Sequence, residues 1–142
     1  MNIQGIIENF KNNQSEIDEK VIILKSIYKN EEQLWNALEV IDPGIIISER
    51  VMNLLADSLQ MVDDKKRVEL FDLNDIKNIY QVLVQYYPNN IQYQIDLISF
   101  VYNVLDDERE AKNLINQTMK IIEDNRKCLL NFLEEMKDDR VV

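Results

Sequence analysis

The sequence predicts an all-α fold, and three observations predict it. The 142 residues include only two glycines and two prolines, and a sandwich or barrel needs many more turn residues. Apolar residues recur at i, i+3 or i+4, and i+7 through most of the chain, which places them on one side of a helix. No segment competes with the apolar–polar alternation of a half-buried strand. The length predicts a single all-helical domain over residues 1–142. The composition, 46% hydrophobic and 30% charged, is that of a globular chain with a core of its own.

The elements follow in order. A short first helix is expected from Asn2 to Lys11, with Ile3, Ile6, Ile7 and Phe10 on one side. Ser15 reads as the N-cap of a second helix running to about Tyr28, with Ile17, Val21, Leu24 and Tyr28 as its stripe. Asn30 reads as the next N-cap. Glu31, Glu32 and Gln33 follow it in the first turn, where acidic residues suit the helix dipole. That helix carries Leu34, Trp35, Leu38 and Ile41 and stops at Asp42-Pro43-Gly44.

A helix beginning near Ile45 or Ser48 and ending near Val62 presents Val51, Leu54, Leu55, Leu59 and Val62. Residues 63–72, DDKKRVELFD, read as a charged loop. The next helix spans about Leu73 to Tyr87, with Ile76, Ile79, Tyr80, Leu83, Val84 and Tyr87 inward, and Pro88-Asn89-Asn90 ends it. Another runs from Ile91 to about Leu105. The acidic run 106–110 opens a further helix with Ala111, Leu114, Ile115, Met119 and Ile122 on one side. A final stripe of Leu129, Phe132, Leu133 and Met136 belongs to the same helix or to a second one starting near Asp124-Asn125. Trp35, Tyr80, Phe100 and Phe132 fit the stripes and are expected in the core. The single cysteine, Cys128, flanked by Leu129 and Leu130, is expected to be a buried thiol.

Charge and composition exclude several function classes. The net charge is −10, and the excess of acids is even between residues 1–62 and 63–142. Direct contact with nucleic acid phosphates draws its affinity from Lys and Arg, and the acidic excess in both halves of the chain argues against it. The start of the chain lacks the pattern of a signal peptide, and no apolar run reaches the roughly 20 residues of a membrane span. A cytoplasmic protein is expected, with no membrane partner.

Little chemistry is on offer. The chain has no histidine, which removes Ser-His-Asp and Cys-His catalysis and most zinc sites. Two glycines cannot build a phosphate-binding loop. Ser26-Ile27-Tyr28-Lys29 spells a nucleophile motif of some acyl enzymes, but its companion motifs are absent. Asp106, Asp107, Glu108 and Glu110 offer oxygen ligands to a hard cation, yet acids at a helix start are what the dipole favours anyway. No catalytic residue, metal or cofactor is expected.

Pro88-Asn89-Asn90, then Leu97 in the following helix, then Glu110-Ala111 in the next, carry a resemblance. Over residues 74–124 the chain resembles the tetratricopeptide repeat family, in which such a turn closes one helical hairpin and opens another. Ala37 to Gly44 looks like a second repeat ending. The pattern departs where the family's usual Trp, small residue and Tyr are replaced by Gln94, Ile98 and Val101, and Pro43 and Pro88 lie farther apart than the roughly 34 residues of one repeat. The resemblance implies antiparallel hairpins over about 15–42, 45–87 and 91–124, stacked as a short solenoid with residues 125–139 as a terminal cap, because one hairpin cannot bury its apolar face alone.

In that family the first helix of each hairpin lines a groove that binds a peptide or helix. The resemblance implies a groove lined by Gln92, Ile95, Asp96, Ser99, Tyr102 and Asn103, with Glu49 and Met52 upstream. The subgroup that binds carboxylate termini needs Lys or Arg there, and residues 91–105 hold neither. A basic or apolar segment of another protein is the implied partner. The expected function is therefore a non-enzymatic interaction module: an adaptor, scaffold or small chaperone. Two alternatives stand beside it. One is an acidic inhibitor, of the immunity-protein or DNA-mimic kind, that blocks a basic partner. The other is a structural subunit that self-associates into a homo-oligomer or joins a larger assembly.

Overall fold

The computed structural model describes residues 2–27, 30–40, 48–62 and 71–139, with the side chains of Glu31, Trp35 and Leu38 outside that description. The described residues form helices and no strand: α1 (Ile3–Ile27), α2 (Glu31–Val40), α3 (Glu49–Leu59), α4 (Leu73–Tyr86), α5 (Ile91–Asn103) and α6 (Glu108–Asp139). None is long and apolar enough to cross a membrane. The expectations for Tyr28, Trp35, Leu38, Asp42-Pro43-Gly44 and the 63–70 loop lie outside the described residues. Contacts divide the chain into two compact units, residues 1–83 and 84–142.

Most helix starts are capped as side-chain chemistry requires. Asn2, Asn30, Asn90 and Asp107 each accept a hydrogen bond from the backbone N–H three residues on, at 3.0, 3.0, 3.4 and 2.9 Å. At α4, Asp72 and Asp75 exchange reciprocal bonds of 2.9 Å, an acidic version of the capping box.

One sequence expectation about helix ends is corrected, and one open alternative is decided. Asn2–Lys11 and Ser15–Tyr28 are not separate helices; α1 runs unbroken through Ser15. The intervening Asn12, Asn13 and Gln14 cost only a few tenths of a kcal/mol each in helix propensity, too little to break it. Likewise residues 108–139 are one helix, crossing Asp124-Asn125 with a 3.5 Å Glu123–Arg126 ion pair. Residues 125–139 are thus continuous with the rest of α6.

In the first unit, Val21 and Leu24 of α1, Leu34 of α2, and Val51 and Leu54 of α3 form the core, backed by half-buried Ile17, Ile27, Ala37 and Leu55. Asp18 and Arg50 form an ion pair between α1 and α3. Tyr80 of α4 is buried, and its hydroxyl donates to Asp57 and accepts from Gln60 at 2.6 Å, tying α4 to α3. A buried hydroxyl bonded to a carboxylate contributes about 2 kcal/mol. Tyr80→Phe is expected to lower stability by about that much, read from the denaturant midpoint at unchanged slope.

The second unit is an α5–α6 hairpin. Tyr87 to Asn90 is a tight turn with Pro88 at its second position and a 3.0 Å bond from Asn90 N–H to Tyr87 C=O. The return from α5 to α6 passes through Asp106, which has a positive φ of 53°, a conformation Asp tolerates better than most residues. Tyr93, Leu97, Phe100 and Val101 of α5 are buried, as is Ala111 of α6.

Beyond Ile121 every described residue of α6 is exposed. Phe132 (53% exposed) and Cys128 are therefore not core residues. Ile115, Met119 and Ile122 are also exposed, as are Ile3, Ile6, Ile7 and Phe10 of α1. Tyr87 is exposed rather than inward, with its ring edge toward Tyr93 at 6.0 Å.

Candidate functional site

The i, i+3, i+4 spacing of α5 fixes which of its residues can meet a partner. Tyr93, Leu97, Phe100 and Val101 face inward, so Gln92, Ile95, Asp96, Ser99, Tyr102 and Asn103 share the outer side. All six sit there: Asp96 is half-buried and the others are exposed. Four of them are tied in two pairs one turn apart, Gln92 donating to Asp96 at 2.9 Å and Asn103 to Ser99 at 3.1 Å. Glu49 and Met52 belong to the first unit, on α3, where both are half-buried.

Ser99 and Tyr102 of this set border a cavity. It has a volume of about 200 Å³ and lies between the C-terminal half of α5 and the start of α6, lined also by Ile98, Ala111 and Ile115. Glu108 and Lys112, paired at 2.9 Å, form its polar edge. Ala111 matters by its size, because a larger side chain there would fill the space. The sequence reading turned Ile115 inward and did not single out Ile98 or Lys112. Glu108, Lys112 and Ile115 lie side by side over two turns of α6, and Ile98 lines the cavity from α5.

The Glu108–Lys112 pair sets the electrostatics of that edge. The Lys112 ammonium lowers the Glu108 pKa, first by its hydrogen bond and then by its charge. Glu108 raises that of Lys112 in the same order, with a lesser contribution from Tyr102. The signs give a window. The carboxylate's share is lost as pH falls through its lowered pKa, and the ammonium's share is lost as pH rises through its raised one. Both groups are exposed, so the effect on stability is small. Lys112→Met is expected to return the Glu108 titration, followed by NMR, to the ordinary glutamate range. An unmoved titration would mean the pair does not form in solution.

Gln94 and Thr118 are the buried polar side chains among the described residues of this unit; Gln94 is the more fully bonded of the two. It is 5% exposed and satisfied at both ends. Its Nε2 donates to the Pro88 carbonyl at 2.8 Å, and its Oε1 lies 3.0 Å from the hydroxyl of Thr118. That hydroxyl also reaches the Leu114 carbonyl at 2.8 Å, so its single proton is shared between two acceptors. Gln94 thereby ties the Pro-Asn-Asn turn to the middle of α6.

A second cavity of about 200 Å³ lies in the first unit between α1 and α3, lined by Val21, Lys25, Arg50, Asn53, Leu54 and Asp57. Among the described residues, no three acidic, Cys or His side chains come together to hold a metal ion. Asp107 caps α6, and Glu108 pairs with Lys112.

No protein-family model matches the chain, and neither a curated protein nor a solved structure matches it.

Proposed function

We propose that the protein is a non-enzymatic interaction module, an adaptor, scaffold or small chaperone, that holds an apolar or basic segment of another protein against the α5–α6 hairpin. The observation that carries this is the cavity between Ile98, Tyr102, Ala111 and Ile115. It is apolar within and charged at one edge, the composition of a pocket that takes one anchoring side chain of a partner. Tyr102, 55% exposed beside it, presents an apolar ring with a polar tip, as contact residues at interfaces commonly do.

The tetratricopeptide-like arrangement is part of the same proposal. Helix pairing supports it: α1 packs on α2 and also on α3, as stacked hairpins require. The 2% exposure of Ala111 supports it too, since a small residue there lets α5 and α6 approach closely. Along α6, acids alternate with bases in exposed pairs such as Glu123–Arg126 and Glu134–Lys137. A mixed-sign face of this kind favours an apolar docking mode over mimicry of a polyanion.

The test is a tagged pull-down from native lysate at low and high salt, with retained proteins identified by mass spectrometry, for the wild type and Tyr102→Ala. The proposal expects one protein held at both salt concentrations and lost on Tyr102→Ala. A basic nuclease or nucleic-acid-binding protein released by salt would overturn it in favour of the acidic inhibitor, because screening weakens charge-driven contacts.

A further inference from the structure

The C-terminal half of α6 carries an apolar stripe that the α5–α6 hairpin leaves uncovered. Buried and half-buried positions of α6 end at Ile121. Past that point Ile122, Leu129, Leu130, Phe132, Leu133 and Met136 are 41–66% exposed. Steps of four and three residues lead from Ile122 through Arg126, Leu129 and Leu133 to Met136, the spacing of a coiled-coil seam. The seam is interrupted once, by Arg126.

We propose that this face is covered by the same face of a second copy of the chain, the two helices running antiparallel and centred at Asn131. Three observations choose this occupant and this direction. The first is Arg126. Parallel, in-register pairing would set Arg126 against Arg126, two like charges in the seam. Antiparallel pairing sets it against Met136 of the second copy and beside Asp139. The second is the flanking charge. Antiparallel pairing brings Glu123 opposite Lys137 of the other copy, twice by symmetry. Parallel pairing sets Lys137 beside Phe132 and leaves Glu123 beside Thr118. The third is length. An overlap centred at Asn131 runs from Glu123 to Asp139, about 25 Å of helix, and this is the part of α6 that lies beyond the last half-buried residue. Within it Leu129 meets Leu133, while Leu130 and Phe132 each meet their own counterpart near the two-fold axis. The groove at Tyr102 and Ile115 lies at the other end of the hairpin, so the dimer displays two copies of it.

Sedimentation equilibrium across micromolar concentrations tests this. The full chain is expected to form a species of twice 16.9 kDa. Leu129→Glu with Leu133→Glu is expected to give a monomer with unchanged helical circular dichroism, since both side chains are more than half exposed and carry little of the core. Glu123→Lys is expected to weaken the dimer roughly tenfold through two lost ion pairs, and adding Lys137→Glu is expected to restore it. A wild type that stays monomeric, or a dimer that survives the double Glu substitution, overturns the proposal. A dimer that the charge exchange fails to rescue overturns the antiparallel register.

Discussion

Replacing Phe100 by Ala is expected to destabilise the protein by about 3–5 kcal/mol, the range for emptying a buried aromatic site. Phe100 is 2% exposed in the C-terminal half of α5, one turn from Leu97 and adjacent to Val101, both also buried. The substitution removes the largest fully buried side chain of the α5–α6 hairpin. Total stabilities of small domains are only about 5–15 kcal/mol, so the loss is a large fraction of the whole. The control is Phe132→Ala, measured on dilute protein. Phe132 is 53% exposed, and its loss is expected to cost less than about 0.5 kcal/mol. Urea unfolding of both variants checks the pair, and equal losses would place Phe132 in a core of its own.

Gln94→Glu is expected to cost about 3 kcal/mol at pH 7, although the side chain keeps its shape. The amide nitrogen that donates to the Pro88 carbonyl at 2.8 Å becomes an oxygen facing another oxygen, and a charge is placed where only 5% of the residue is exposed. Removing a donor from a buried acceptor costs about 1–3 kcal/mol, and an unpaired buried charge adds to it. The pH dependence has a defined sign. Burial raises the new carboxyl's folded pKa above its unfolded value of about 4.3. The deficit relative to wild type is therefore smallest below that unfolded value and grows as pH rises toward the folded pKa. When protonated, the carboxyl can donate to Pro88 again. Unfolding midpoints of variant and wild type compared between acid and neutral pH check this, and a deficit independent of pH would mean that the new group stays solvated.

The local chemistry of this chain was legible in its sequence. Asn30 caps α2 as its position before a periodic run predicted, and Val51, Leu59, Ile76 and Leu83 are buried as their stripes required. Helix continuity was less legible. Asn12-Asn13 and Asp124-Asn125 look like breaks, but each residue costs a fraction of a kcal/mol, which the flanking turns absorb. Burial was least legible at the chain's two ends. Periodicity reports that Leu129, Phe132, Leu133 and Met136 share a face, but not what covers that face, so Phe132 and Cys128 were assigned to a core that α6 does not have there. At the candidate site the residues named for the outer face of α5 came from the tetratricopeptide resemblance, and the burial of Tyr93, Leu97, Phe100 and Val101 agrees with that facing. The cavity was not legible, because it depends on how closely Ala111 lets α6 approach Ile98 and Tyr102. The role of Gln94 was hidden for a similar reason: its partners, Pro88 and Thr118, are brought to it only by the turn and the return of the second helix.

Hydrogen–deuterium exchange along α6 at two protein concentrations asks most directly whether the exposed apolar face of this chain is built to be covered from outside. Amides between Ala111 and Ile121 should be protected equally at both concentrations, because α5 covers them. Those from Glu123 to Asp139 should exchange quickly in dilute protein and become protected as concentration rises. Strong protection of 123–139 at both concentrations in a monomeric protein would mean the chain covers that face itself, and would contradict its role as a docking surface.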